Sequence, residues 1–157
     1  FSDTFFENVR YGDPAAPKEK VNWSTDKAQI YNHIDTLPGK FDTLIGERGV
    51  QLSGGQRQRL SVSRTLLFDS KVVIFDDSTS AIDTQTEKKI REEMMSLGTG
   101  ITLIVIAHRI SSVMNLDEIL YLDSGEIVER GSHNELIKLN GRYSELYNMQ
   151  INPELKV

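Results

Sequence analysis

Residues 71–77 read "KVVIFDD", an apolar run that ends in two adjacent acids. Runs of this kind, rich in Val and Ile, are expected for strands buried on both faces of a parallel sheet. Acids at the carboxyl end of such a strand lie where open α/β sheets bind ligands. Downstream, residues 84–97 read "TQTEKKIREEMMSL". Thr84 with Glu87 forms a capping-box pattern, and Glu87–Arg91, Lys88–Glu92 and Lys89–Glu93 are charge pairs one helical turn apart. Ile90, Met94 and Leu97 share one face, so the segment predicts an amphipathic helix. A second apolar run, "ITLIVI", follows at 101–106. Strand, helix and strand in this order make a right-handed crossover unit, and the fold class is α/β.

Beyond the crossover, residues 109–117 predict a short helix and a link. "ILYLDSGEIVERG" at 119–131 predicts a β-hairpin turning at Asp123-Ser124-Gly125. Ser132 with Glu135 opens a helix over 133–139 that Gly141 ends, and a further helix covers 142–149. Upstream, Thr4 with Glu7 starts a short helix, 11–17 is a loop, and 17–36 is helical but weakly periodic. The Gly-rich connection 37–51 leads to a helix over 53–68, capped by Ser53 and carrying two glycines in its first turn. The chain divides into a helical lobe, 1–68, and an α/β lobe, 69–157.

Composition narrows the function classes. The 157 residues are 38% hydrophobic and 26% charged, which fits a globular fold and not extended disorder. A net charge of −5 gives no basic footprint for nucleic acid. With no cysteine there is no disulfide and no thiolate metal site. The most apolar stretch, 101–107, is far short of the roughly 20 residues that cross a bilayer. No signal peptide opens the chain, and no initiator methionine either, so a piece of a longer protein is expected.

Three places carry chemistry. "LSGGQ" at 52–56 puts two glycines at a helix start, at a cost of roughly 1 kcal/mol each relative to alanine. Close approach of a ligand to the backbone is a common reason, and a helix N-terminus favours an anion such as phosphate. A plain loop-to-helix junction with a serine cap explains the same five residues. Asp76 and Asp77 suit a metal or an activated water. His108 follows the strand "TLIVIA", at its carboxyl end. Arg57, Arg59 and Arg64 read as a solvated helix face, and Trp23 and the N-terminal phenylalanines as packing contacts.

Taken in order, "LSGGQRQRL", "VVIFDD", "STSAID" and "IVIAHR" resemble the nucleotide-binding domain of an ATP-binding cassette (ABC) transporter. LSGGQ resembles the family's signature motif, VVIFD its Walker B strand, SAID its D-loop and His108 its switch histidine. "LDSGEIVERGSHNELI" resembles the family's C-terminal hairpin and helix, and "GERG" at 46–49 a loop that faces the membrane domains in exporters. The resemblance spans essentially the whole chain. It implies a P-loop-type ABC ATPase domain, exporter branch, that uses ATP and Mg²⁺ at the cytoplasmic face of a membrane. It also implies a head-to-tail partner domain, with transmembrane domains contacted through the Gly46–Gly49 loop. Asp76 would hold Mg²⁺, and His108 would contact the γ-phosphate. Ser53, Gly54, Gly55 and Gln56 would bind the partner's ATP, and Ser80 and Asp83 would cross to the partner.

Two features depart from the family pattern. Asp77 stands where the family has the glutamate that activates water, which implies a degenerate site of the kind found in heterodimers. The chain contains no G-x-x-x-x-G-K-[ST], the loop that wraps the phosphates. It therefore resembles the C-terminal two-thirds of the domain, expected alone to bind ATP poorly and to expose open sheet edges. Two other readings stay open: a non-catalytic interaction fragment, and a soluble ABC ATPase outside transport.

Overall fold

The computed structural model describes residues 2–47, 49–68, 70–76, 84–96 and 100–151. It forms two compact units, Phe1–Ile104 and Val105–Val157. In the first, strand β1 (Asp3–Thr4) pairs antiparallel with β2 (Leu44–Ile45), a two-residue ladder that no alternation in the sequence announces. Thr4 then caps α1 (Phe5–Arg10), its hydroxyl accepting from the Glu7 N–H at 3.1 Å. Helices α2 (Lys18–Lys27), α3 (Tyr31–Asp35) and α4 (Gly54–Leu67) complete the helical part. Phe5, Val9, Val21, Ile34, Leu60 and Leu67 belong to its buried core.

Of the arginines of α4, Arg57 is exposed as expected, while Arg59 and Arg64 are half-buried. Arg57 donates to the Leu52 carbonyl, Arg59 to the Gln29 carbonyl at 3.1 Å, and Arg64 to both oxygens of Asn8 at 2.7 Å. Burial pushes the Arg64 guanidinium down from its ordinary value, and these charge-assisted bonds offset the lost hydration. Gly12, just after α1, lies against the same turn of α4. A Cβ there would meet the Arg64 carbonyl oxygen at 2.2 Å, so backbone would have to move. Gly12→Ala is expected to destabilise the chain by about 1–3 kcal/mol, read as a lowered urea midpoint at unchanged slope.

Helix α5 (Thr84–Ser96) buries Ile90 and Met94 as its periodicity requires. Lys88 and Glu92 pair at 3.7 Å, while Glu93 reaches Lys27 of α2 at 2.6 Å. Strands β3 (Val72–Asp76) and β4 (Thr102–Ile106) are hydrogen-bonded neighbours. The Thr102 N–H donates to the Lys71 carbonyl at 2.8 Å, which brings the two strand starts together as a crossover does. The expected burial on both faces does not hold. Val73 is buried and Phe75 and Leu103 pack on the core, yet Val72, Ile74, Ile104 and Ile106 are 53, 62, 44 and 51% exposed. Side chains alternate across a strand, and among the described residues only one face is covered.

In the second unit, β5 (Ile119–Asp123) and β6 (Glu126–Gly131) form the expected antiparallel hairpin. Its turn residues, Ser124 and Gly125, have φ of 53° and 86°, the pattern of a type I′ turn. Ser132 and Glu135 form a complete capping box on α6 (His133–Leu139). Bonds from the Ser132 backbone and hydroxyl hold the Glu135 carboxyl below its ordinary value. The helix ends at Asn140, in the left-handed region at φ 53°, one residue before the glycine expected to stop it. Asparagine tolerates this conformation, and Gly141 serves a different end: a Cβ there would crowd the Glu129 carboxylate. The Glu129 carboxylate accepts from the Arg142 and Tyr143 N–H groups and opens α7 (Arg142–Ile151). Ile110, Ile119, Leu136 and Tyr143 form this unit's core. Among the described residues, no helix is long and apolar enough to cross a membrane.

Candidate functional site

Residues 52–56 form the start of α4. Ser53 is the N-cap, and its hydroxyl accepts from the Gln56 N–H at 3.3 Å. The Gln56 side-chain oxygen accepts in return from the Ser53 N–H at 2.8 Å. This reciprocal box offsets part of the helix-start cost of the two glycines. It also decides which donors remain. The box takes up the N–H groups of the cap and of the third helical residue, Gln56. The first two helical residues are Gly54 and Gly55, whose N–H groups have no acceptor within a helix and no side chain to obstruct an incoming anion.

Gln56 was named for its place in the motif, but its structural use is a finding of the fold. Its side-chain N–H₂ lies 3.4 Å from His33 Nδ1, on α3. A backbone N–H only donates, so the Gln56 atom facing Ser53 is oxygen and the atom facing His33 is nitrogen. Nδ1 therefore faces a donor. Nε2 is buried without a hydrogen-bond partner among the described residues, and the ring packs edge-on to Phe5 at 6.3 Å. Ser53 was read from the sequence as the cap but the reciprocal box was not, although Ser-x-x-Gln is the spacing that signals one. Nothing in the sequence pointed to His33, because its contact spans 23 residues.

Asp76 is the last residue of β3 and is exposed. His108 comes two residues after β4 and is exposed as well. Its carbonyl accepts from the Gln150 side chain at 2.9 Å. Asp77, Ser80 and Asp83 lie outside the described residues. No group of three or more metal-binding side chains occurs among the described residues. A single hard carboxylate such as Asp76 still suits Mg²⁺, which keeps several waters and uses one or two carboxylates alongside phosphate oxygens.

The Gly46–Gly49 loop is tied to β2 by its backbone. Gly46 donates to the Val50 carbonyl at 3.3 Å, and Val50 to the Leu44 carbonyl at 2.9 Å. At Gly49 a Cβ would stand 2.2 Å from the Leu44 oxygen, so the turn closes only with glycine there. Leu44 and Val50, at its base, are exposed.

Residues 2–80 match a family model described as ABC transporter. The chain belongs to the ABC transporter family. It is 44% identical over 150 residues to an ATP-dependent lipid A-core flippase of Desulfotalea psychrophila, covering 96% of this chain and 26% of the relative. It is 46% identical over 155 residues to the flippase of the same name in Pseudomonas aeruginosa, covering 98% and 26%. The ABC transporter B family member 6 of Dictyostelium discoideum is 43% identical over 150 residues, covering 96% and 22%. The fold matches a bacterial Atm1-family ABC exporter with ATP bound, with a TM-score of 0.89 and 40% identity over 96% of this chain and 26% of that one. The chain thus spans about a quarter of the length of these relatives. It has the fold of an ABC ATPase domain in part, and it resembles the nucleotide-binding domain of exporters.

Proposed function

We propose that this chain supplies the signature helix, Walker B strand and switch histidine to the ATP-hydrolysing domain of an ABC exporter. The start of α4 carries this reading: a closed capping box that leaves the N–H groups of two glycines for an anion. Ser53, Gly54, Gly55 and Gln56 bind the γ-phosphate region of an ATP held by a second, head-to-tail domain. At the chain's own site Asp76 holds Mg²⁺, whose charge offsets that of the phosphates. Asp77 takes the place of the water-activating glutamate, and His108 contacts the γ-phosphate. Ser80 and Asp83 form the contact with the partner domain, and the Gly46–Gly49 loop meets the transmembrane domains. In this division residues 1–68 act as the signature lobe and 69–157 as the catalytic lobe, at the cytoplasmic face of the membrane. The short Asp77 makes a heterodimer, with one weak site, the natural assembly.

Gly55→Asp separates this reading from a plain helix junction. An acid in the first helical turn is favoured by the helix dipole, so the fold is retained or slightly stabilised. The same carboxylate occupies the phosphate position. ATPase turnover of the intact transporter is expected to fall by about tenfold or more, at unchanged melting temperature of the domain. Full turnover would remove the signature helix from the site. The non-catalytic reading predicts no effect of this substitution on any nucleotide-dependent step.

A further inference from the structure

The segment that carries His108 is held by a residue from the far end of the chain. The Gln150 side-chain N–H₂ donates to the His108 carbonyl at 2.9 Å, and its oxygen accepts from the Ile110 N–H at 2.9 Å. Arg109, between them, is extended at φ −102° and ψ 122°. In extended backbone the C=O of one residue and the N–H of the second residue after it point to the same side, as along a strand edge. The carboxamide of Gln150 meets both, as a neighbouring strand would. Only a group with one donor and one acceptor at this spacing satisfies the two together, which among uncharged side chains selects an amide.

Gln150 itself is well placed to act as a fixed support. It lies in the last turn of α7, and α7 is anchored at its other end by Glu129 and by the buried Tyr143. Tyr143 Oη lies 2.8 Å from His133 Nδ1, and Ile110 is part of the same core. Immediately after the histidine, then, the chain is clamped on its apolar side by the core and on its polar side by Gln150.

We infer that Gln150 is a positioning residue for His108, setting the direction in which the imidazole leaves the end of β4. The inference rests on His108 acting at the γ-phosphate, and its test separates the two claims. In the full chain, Gln150→Leu keeps helix propensity and volume but removes both bonds. Gln150→Glu keeps the acceptor for Ile110 and turns a carboxylate oxygen toward the His108 carbonyl. Hydrogen exchange of the Ile110 amide is expected to quicken by about fivefold to tenfold in Gln150→Leu, with the hairpin amides unchanged. In Gln150→Glu the Ile110 amide stays protected while the His108 backbone resonances shift. Wild-type exchange at Ile110 in Gln150→Leu would overturn the proposal.

In the intact transporter, Gln150→Leu is expected to lower kcat by roughly tenfold at near-constant KM for ATP. It should add nothing in a His108→Ala background. Additive losses would overturn action through His108. Altered exchange with full turnover in Gln150→Leu but not in His108→Ala would overturn the positioning role, and full turnover in His108→Ala would remove His108 from the reaction.

Discussion

Asp77→Glu in the intact transporter is expected to raise ATP hydrolysis at this chain's own site by about 10²–10⁴, the usual contribution of a positioned general base. Aspartate is shorter than glutamate by one methylene, roughly one C–C bond of about 1.5 Å. A base works only within hydrogen-bond reach of the proton it takes, so in the role proposed for Asp77 the shorter acid is expected to hold the water too loosely. The measurement is single-site turnover, with the partner's site silenced by substitution of its own water-activating acid. Unchanged turnover would mean that aspartate suffices, or that proton transfer does not limit the rate. ATP affinity should move little, because the added methylene acts on the attacking water and not on the bound phosphates.

The second large effect concerns stability. Phe5 is fully buried in the first unit, in a core that includes Val9, Ile34, Ile45 and Leu60, with its ring edge-on to His33. Phe5→Ala removes the ring and leaves a cavity that the surrounding helices fill only partly, a loss of about 3–5 kcal/mol. Typical domains hold only about 5–15 kcal/mol in all, so this one change consumes a large share. A urea titration followed by circular dichroism reads it as a lowered midpoint. Trp23→Ala is the control: Trp23 is 38% exposed on α2, and its loss is expected to be the smaller of the two. Equal losses at the two positions would show that the core is not organised around α1.

The two effects sit at opposite ends of what a sequence makes legible. Asp77 departs from a motif whose order and spacing are visible in one dimension, and its shortfall needs no coordinates. The value of Phe5 is invisible in "FSDTFFENVR", where three phenylalanines compete. Phe5 becomes central only because Thr4 caps α1 and β1 pairs with β2, directing that ring and not Phe6 into full burial.

The features read correctly from sequence are local. Thr4 with Glu7 and Ser132 with Glu135 cap helices three residues away, and Ser124-Gly125 turns the hairpin. Ile90 and Met94 recur at helical spacing and are buried. The caps and the turn depend on groups within one turn of each other, fixed by side-chain chemistry before any packing, while the spacing of Ile90 and Met94 marks the face that packing then covers. The family is legible for the same reason, since its motifs are short and ordered.

Tertiary contact decided the rest. Arg59 and Arg64 read as solvated until carbonyls of distant segments took up their donors, while Arg57 stayed exposed. Both faces of β3 and β4 read as buried because an apolar run does not record what lies opposite it; one face met the core and the other did not. His33 under the signature turn and Gln150 behind His108 join residues 23 and 42 positions apart. A pairing across that distance leaves no periodicity, so the sequence by itself determined which groups this protein carries and its local turns and caps. The fold alone chose which of those groups meet.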